Sequence, residues 1–243
     1  MTPAPKRRTD ATPAARADEA VAALRRLASK KHKDGMESFA IPSDRAFGVP
    51  MGRIHGLAKK LGRDHALAEA LWASGWYEAR LLASFVGEPE RVTPAQMDRW
   101  CRDFDNWAVC DTVCFHLFDK TPHAFGRVAR WADRKDEFQR RAAFALLACL
   151  AVHDKRADDA AFVRCLPLIE GAAADERNFV KKGVSWALRG IGHRSPELHA
   201  AAVALAERLA ESGEPAARWV GKDTLRDLER PLVARKLAAR AKR

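Results

Sequence analysis

The chain has 243 residues, 47% of them hydrophobic and 31% charged, with a formal net charge of +11. That length suits one large domain or two small ones with a substantial core. No run approaches the roughly 18 uncharged apolar residues of a membrane span, and Met1-Thr2-Pro3-Ala4-Pro5-Lys6-Arg7-Arg8 holds no apolar signal core, so a soluble, non-secreted, cytoplasmic protein is expected.

The basicity sits at the two ends. Residues 1–33 are strongly basic, residues 230–243 hold no acid at all, and the body between them is close to neutral. Residues 1–17, rich in Pro, Ala, Thr and Arg, lack a periodic apolar face and read as a disordered basic tail. A first helix is expected over Asp18–Lys31, with Val21, Leu24, Leu27 and Ala28 on one side. After a turn-rich link, Gly48-Val49-Pro50-Met51 opens the next helix, in which Ile54, Leu57, Ala58 and Leu61 keep helical spacing.

From there helical runs alternate with short breaks. They cover His65–Ser74, Trp76–Val86, Thr93–Phe104, Asn106–Phe118, His123–Trp131, Glu137–Val152, Asp158–Ile169, Glu176–Ile191, Pro196–Leu209, Pro215–Glu229 and Pro231–Ala241. Thr93-Pro94, Thr121-Pro122 and Ser195-Pro196 each offer a cap followed by a proline in the first turn. No strand-type alternation occurs. The fold class is therefore all-α. Short connections force neighbouring helices to pack antiparallel, which suggests an α-solenoid of HEAT-like helix pairs in a single curved domain over 18–230, with 231–243 as a basic C-terminal helix or tail. A compact helical bundle is the rival architecture.

Three helices stand out. Asn106–Phe118 is apolar on nearly every side, yet carries Asp111 four residues after Trp107, on the same face. A carboxylate there must be paired, hydrogen-bonded or facing a cleft. The Glu137 helix is apolar from Ala142 onward and brings Arg140 and Arg141 at its front. In Asn178-Phe179-Val180-Lys181-Lys182-Gly183-Val184-Ser185-Trp186-Ala187-Leu188-Arg189, the residues Lys182, Trp186 and Arg189 share a face. A tryptophan between two cations suits phosphate and sugar, or a half-buried ring with lysines reaching past it to water. The five cysteines, Cys101, Cys110, Cys114, Cys149 and Cys165, are odd in number, form no Cys-x-x-Cys pair and read as reduced thiols. Cys110, Cys114 and His116 lack the geometry and the fourth ligand of a zinc site, so no metal and no cofactor is expected.

Taken together, Asn106-Trp107-x-x-x-Asp111, Gln139-Arg140-Arg141-Ala142-Ala143 and Lys181-Lys182-Gly183-Val184-Ser185-Trp186-Ala187-Leu188-Arg189 resemble the DNA alkylation repair family of HEAT-like-repeat DNA glycosylases, the AlkD type. Phe47-Gly48-Val49-Pro50 and Trp76-Tyr77-Glu78-Ala79-Arg80-Leu81-Leu82-Ala83 fit the same family, and the resemblance covers most of 34–230. It implies Asp111 as the catalytic carboxylate and Trp107 and Trp186 as aromatic walls. It also implies Arg141 or its neighbour Arg140 on a phosphate. Lys182 and Arg189, from their place on the Trp186 face, and Lys181 beside them are expected to contact the DNA. The partner implied is double-stranded DNA containing alkylated bases, bound by a monomer associated with the nucleoid. The reaction implied is excision of positively charged N3- or N7-alkylated purines without base flipping. The chemistry agrees: a cationic base is already a good leaving group, so one carboxylate beside indole rings suffices to stabilise an oxocarbenium-like sugar, where ordinary glycosidases need two. A non-catalytic protein binding damaged or branched DNA, and a protein-interaction scaffold, are the alternatives. The segment Asp34-Gly35-Met36-Glu37 departs from the family in having no aromatic before Phe39.

Overall fold

The structure, a computed structural model, describes residues 11–241. All regular elements among them are helical: α1 (Pro13–Arg26), α2 (Lys30–Gly35), α3 (Met51–Leu61), α4 (His65–Ala73), α5 (Tyr77–Val86), α6 (Pro94–Arg102), α7 (Trp107–His116), α8 (Ala124–Trp131), α9 (Glu137–His153), α10 (Asp159–Val163), α11 (Leu166–Ala172), α12 (Asn178–Gly192), α13 (Pro196–Ala210), α14 (Pro215–Leu228) and α15 (Pro231–Ala241). No helix among the described residues is long and apolar enough to cross a membrane. The chain divides into two compact units, residues 1–91 and 92–243.

The boundaries differ from expectation in several places, each for a local reason. The first helix, expected to run to Lys31, ends at Arg26, and Ser29 caps a separate helix α2 from Lys30 by accepting the His32 N–H. Helix α1 starts at Pro13, five residues inside the segment read as tail, because the Thr12 hydroxyl accepts the Ala15 N–H and Pro13 needs no donor partner there. Ala17 and Ala20 are buried from this helix. The first ten residues of that tail lie outside the described residues. Thr121 does not cap α8: its hydroxyl donates to the Phe118 carbonyl within a 3-10 turn, and α8 begins at Ala124. The run Asp158–Ile169 breaks into α10 and α11 at Arg164 and Cys165. Thr93 and Ser195 do cap, accepting from the Gln96 and Leu198 N–H groups.

In the first unit the segment Phe47-Gly48-Val49 is held from α5. The Glu78 carboxylate, 0% exposed, accepts the N–H groups of all three residues at 2.7–3.1 Å. Three charge-assisted bonds satisfy an anion that burial alone would make costly. Phe47 stacks on Trp76 with ring centroids 4.4 Å apart, and the Arg25 guanidinium lies over both rings. Gly48 has φ +75°, and a Cβ there would lie 2.4 Å from the Ser29 carbonyl oxygen and 2.5 Å from the Lys33 nitrogen. Only glycine meets both demands.

In the second unit α8 packs on α9, α11 on α12 and α13 on α14, while α7, α9, α12 and α14 pack against one another in series. The cross-contacts give the direction of the series. Cys110 donates to the Phe138 carbonyl and Cys114 to the Ala142 carbonyl; Ser185 pairs with Asp223 and His193 with Asp227. Both residue numbers rise together, so neighbours in the series run parallel. That is the arrangement of the second helices in successive antiparallel pairs. Helix α9 lies in the middle and is buried at every position from Arg141 to Ala151.

Gly48→Ala is expected to cost at least ~2 kcal/mol, since a left-handed residue with a side chain is strained and the added carbon meets backbone that cannot move aside. Urea denaturation checks it; an unchanged midpoint would show that the turn relaxes freely.

Candidate active site

Helix α7 starts where Asn106 accepts the Val109 N–H, which makes Trp107 the first helical residue. Ala108, Val109, Cys110, Val113 and Cys114 are buried, while Trp107 and Asp111 are only half-buried and lie one turn apart on the remaining face. Asn106 sets that face, because it fixes where the helical count begins.

Asp111 meets Arg141 of α9. The arginine donates from Nε to Oδ1 at 2.9 Å and from Nη2 to Oδ2 at 2.6 Å, a bidentate pair. Its Nη1 donates to the Phe179 carbonyl of α12 at 2.7 Å. The Arg141 side chain is 7% exposed and the Asp111 side chain 19%. Burial pushes the Asp111 carboxyl above the ordinary carboxylate range, and the guanidinium beside it pulls it back. Cys114 and Cys149 lie behind this site, and burial raises both thiols well above their ordinary value, so they are inert filling.

This changes the roles expected for the two arginines. Arg141 is committed to Asp111 and to Phe179, not turned outward toward a phosphate, because burial leaves a guanidinium no alternative to satisfying its donors inside. Arg140 points elsewhere: it donates to the Ala132 carbonyl at 2.8 Å and to Asp175 at 2.9 Å, a carboxylate that Arg177 shares. The adjacent arginines diverge because neighbouring helical positions project about 100° apart.

On α12, Lys182 is exposed, Trp186 and Arg189 are half-buried, and all three share the face expected from their spacing. Arg189 lies 3.7 Å from Asp223 of α14. Lys181 belongs to the α14 side of its helix, with its Nζ 5.3 Å above the Trp219 ring. The structure thus puts Trp107, Asp111 and Arg141 on adjoining helices, with Trp186 on α12, the next helix in the series. It removes Arg140 to an ion pair with Asp175 and turns Lys181 toward α14. Sequence reasoning missed Trp219 and Asp223, although Trp219-x-x-x-Asp223 repeats the spacing of Trp107-x-x-x-Asp111. It also missed Phe179, whose part is played by a backbone carbonyl that no residue type announces. No group of three metal-ligating side chains occurs among the described residues.

A family model described as "DNA alkylation repair enzyme" matches residues 20–228. No curated protein matches the chain in sequence. Among solved structures, the chain is similar to a protein reported as "A new family of proteins related to the HEAT-like repeat DNA glycosylases with affinity for branched DNA structures". The match has a TM-score of 0.70 at 20% identity, covering 86% of this chain and 94% of that one, and establishes likeness of fold.

Removing one member of the Asp111–Arg141 pair leaves a buried charge without its partner. Arg141→Leu is expected to cost ~3–5 kcal/mol, and adding Asp111→Leu to recover a good part of it, so the two effects are far from additive. A double-mutant cycle in urea measures this; additive losses would mean that the pair is not energetically coupled.

Proposed function

The chain belongs to the DNA alkylation repair enzyme family, and from that membership together with the Trp107/Asp111 geometry we infer that it is a DNA glycosylase for positively charged N3- or N7-alkylated purines. The observation that carries the reading is Asp111 itself. It is the carboxylate of an otherwise apolar helix, still partly open to solvent, one turn from an indole and fixed on both oxygens by a buried arginine.

A purine alkylated at N3 or N7 carries a positive charge. Cleavage of the C1′–N bond leaves the electron pair with the base, which departs neutral and needs no general acid. The charge passes to the sugar as an oxocarbenium-like centre. The Asp111 carboxylate stabilises that charge, with the faces of Trp107 and Trp186 as electron-rich walls. Water then attacks C1′ and yields its proton to the carboxylate or to solvent, leaving an abasic deoxyribose. Arg141 serves as a positioning residue: it keeps a desolvated carboxylate ionised and fixes its direction. Lys182 and Arg189 supply backbone attraction that weakens with salt.

The pH dependence has a definite sign. Asp111 acts as the anion, so activity falls as pH drops through its pKa. Burial raises that pKa and Arg141 lowers it. Arg141→Gln removes the main lowering influence and leaves the burial, so the acid limb of the rate profile moves to higher pH. Asp111→Asn is expected to lose ~10²-fold or more, the usual effect of removing one transition-state electrostatic partner. Release of methylated base from alkylated duplex DNA, followed across pH for the three proteins, reads both effects. Wild type releasing no base above background would end the enzyme reading. Full activity in Asp111→Asn would end this mechanism alone.

The bidentate occupation of Asp111 supports a second reading, a protein that binds DNA without excising anything. The structural neighbour is described by its affinity for branched DNA. That reading expects no base release, with salt-sensitive binding of lesion-free DNA. In it, Lys182→Ala weakens binding uniformly across sequences and reduces the salt slope by about 1.

A further inference from the structure

The α12–α14 pair carries a group of side chains, centred on Trp219, to which the glycosylase chemistry gives no part beyond the backbone attraction of Lys182 and Arg189. The buried stripe of α14 comprises Ala216, Ala217, Val220, Gly221, Thr224 and Leu228. Trp219 is off that stripe. It shares its face with Lys222, Asp223 and Arg226, at the i, i+3, i+4 and i+7 spacing of one helical side. Trp219 is half-buried, and Lys181 of α12 holds its ammonium 5.3 Å above the ring. Lys182 and Lys222 are exposed and have no ion-pair partner among the described residues. Arg226, 77% exposed, lies 3.6 Å from Asp223. The one carboxylate of the group is engaged on every side. It accepts the Ser185 hydroxyl at 2.6 Å, and Arg189 and Arg226 flank it. Lys181, Arg189, Lys222 and Arg226 thus lie about one carboxylate and one indole, with Lys182 next to Lys181 on α12.

We propose that this face is a second nucleic-acid contact, which takes an unpaired nucleotide next to duplex DNA. The base stacks on Trp219, and Lys182, Lys222 and Arg226 hold the phosphates on either side of it. The proposal rests on the reading that the α7–α9–α12–α14 series faces DNA, and adds to it the kind of DNA preferred.

A continuous duplex offers a protein surface only phosphates, sugars and base edges, because the base faces are stacked on each other. Lysines and arginines suffice for that backbone, and a large flat ring among them gains little. An unpaired nucleotide offers a base face beside the same phosphates. An aromatic platform edged by cations is the general solution for single strands, tolerant of sequence because every base has a π-face. Ser185 and Arg189 keep Asp223 from repelling the phosphates, since its charge is spent on neighbours within the protein. The bland account of Trp219 is packing: an indole covering the α12–α14 seam, with the Lys181 stem lying along it. The two accounts predict different things.

The test uses the full chain and lesion-free oligonucleotides, so base excision plays no part in the readout. Fluorescence anisotropy compares a blunt duplex with the same duplex carrying a single-stranded extension of about ten nucleotides, within the usual site size of such platforms. Wild type is expected to bind the extended duplex more tightly than the blunt one. Trp219→Ala is expected to weaken the extended complex by roughly five- to a hundredfold, the range one base–aromatic stack is worth, and to close the gap between the two DNAs. Trp219→Phe keeps a ring and is expected to keep most of the preference. Lys222→Ala is expected to weaken the extended complex and to lower its salt slope by about 1. The proposal is overturned if wild type shows no preference for the extension, or if Trp219→Ala weakens both DNAs equally. It is also overturned if Trp219→Phe loses the preference while retaining the wild-type melting temperature. Failure of the glycosylase reading would appear elsewhere, as absent base release from alkylated duplex.

Discussion

One side chain, Arg141, joins three helices. It rises from α9, grips Asp111 of α7 with two nitrogens and reaches the Phe179 carbonyl of α12 with the third. Taking a guanidinium and a carboxylate out of water is expensive, and their attraction repays it only when geometry and remaining hydrogen bonds are complete. Here every nitrogen of the guanidinium has a partner. The arrangement therefore fixes the register of α7, α9 and α12: sliding one helix by a turn would leave a buried charge facing hydrocarbon. The same pair sets the chemistry, since it decides where the carboxylate points and whether it is ionised.

The parallel series continues this logic with weaker ties. Thiols of α7 donate to carbonyls of α9, and hydroxyl and imidazole groups of α12 meet carboxylates of α14. The α13–α14 contact is closer still. A Cβ at Gly221 would lie 2.3 Å from the Ala210 nitrogen, so only a bare backbone allows the approach. Because such contacts bring α14 and its neighbours close, Trp219 comes to stand under Lys181, and Asp223 between Ser185 and Arg189.

Charge is organised by pairing and not by total. Much of the arginine of the second unit is tied down: Arg127 and Arg130 on Asp98, Arg140 and Arg177 on Asp175, Arg141 on Asp111. A sequence count gives each of these a full positive charge, yet the carboxylates they share offset part of it. Cations such as Lys182 and Lys222, which have no carboxylate within reach among the described residues, shape the field a DNA strand would meet.

The sequence by itself determined the all-helical class, most of the helix starts and the face shared by Trp107 and Asp111. These are local matters of apolar period, capping side chains and proline at first turns. Even the early start of α1 was written in Thr12-Pro13, the same signal used for Thr93-Pro94, although the polar composition around it read as tail. The family likeness was legible for a similar reason, because its motifs are short and lie within single helices. Tertiary structure decided which charges meet. Arg140 and Arg141 are indistinguishable as a dipeptide, and only the packing of α9 between α7 and α12 sends one to Asp175 and the other to Asp111. The Phe179 carbonyl, the Lys181–Trp219 contact and the engagement of Asp223 likewise join residues about 40 positions apart. Whether a carboxylate is free, paired or buried depends on what another helix brings to it, and that is a property of packing.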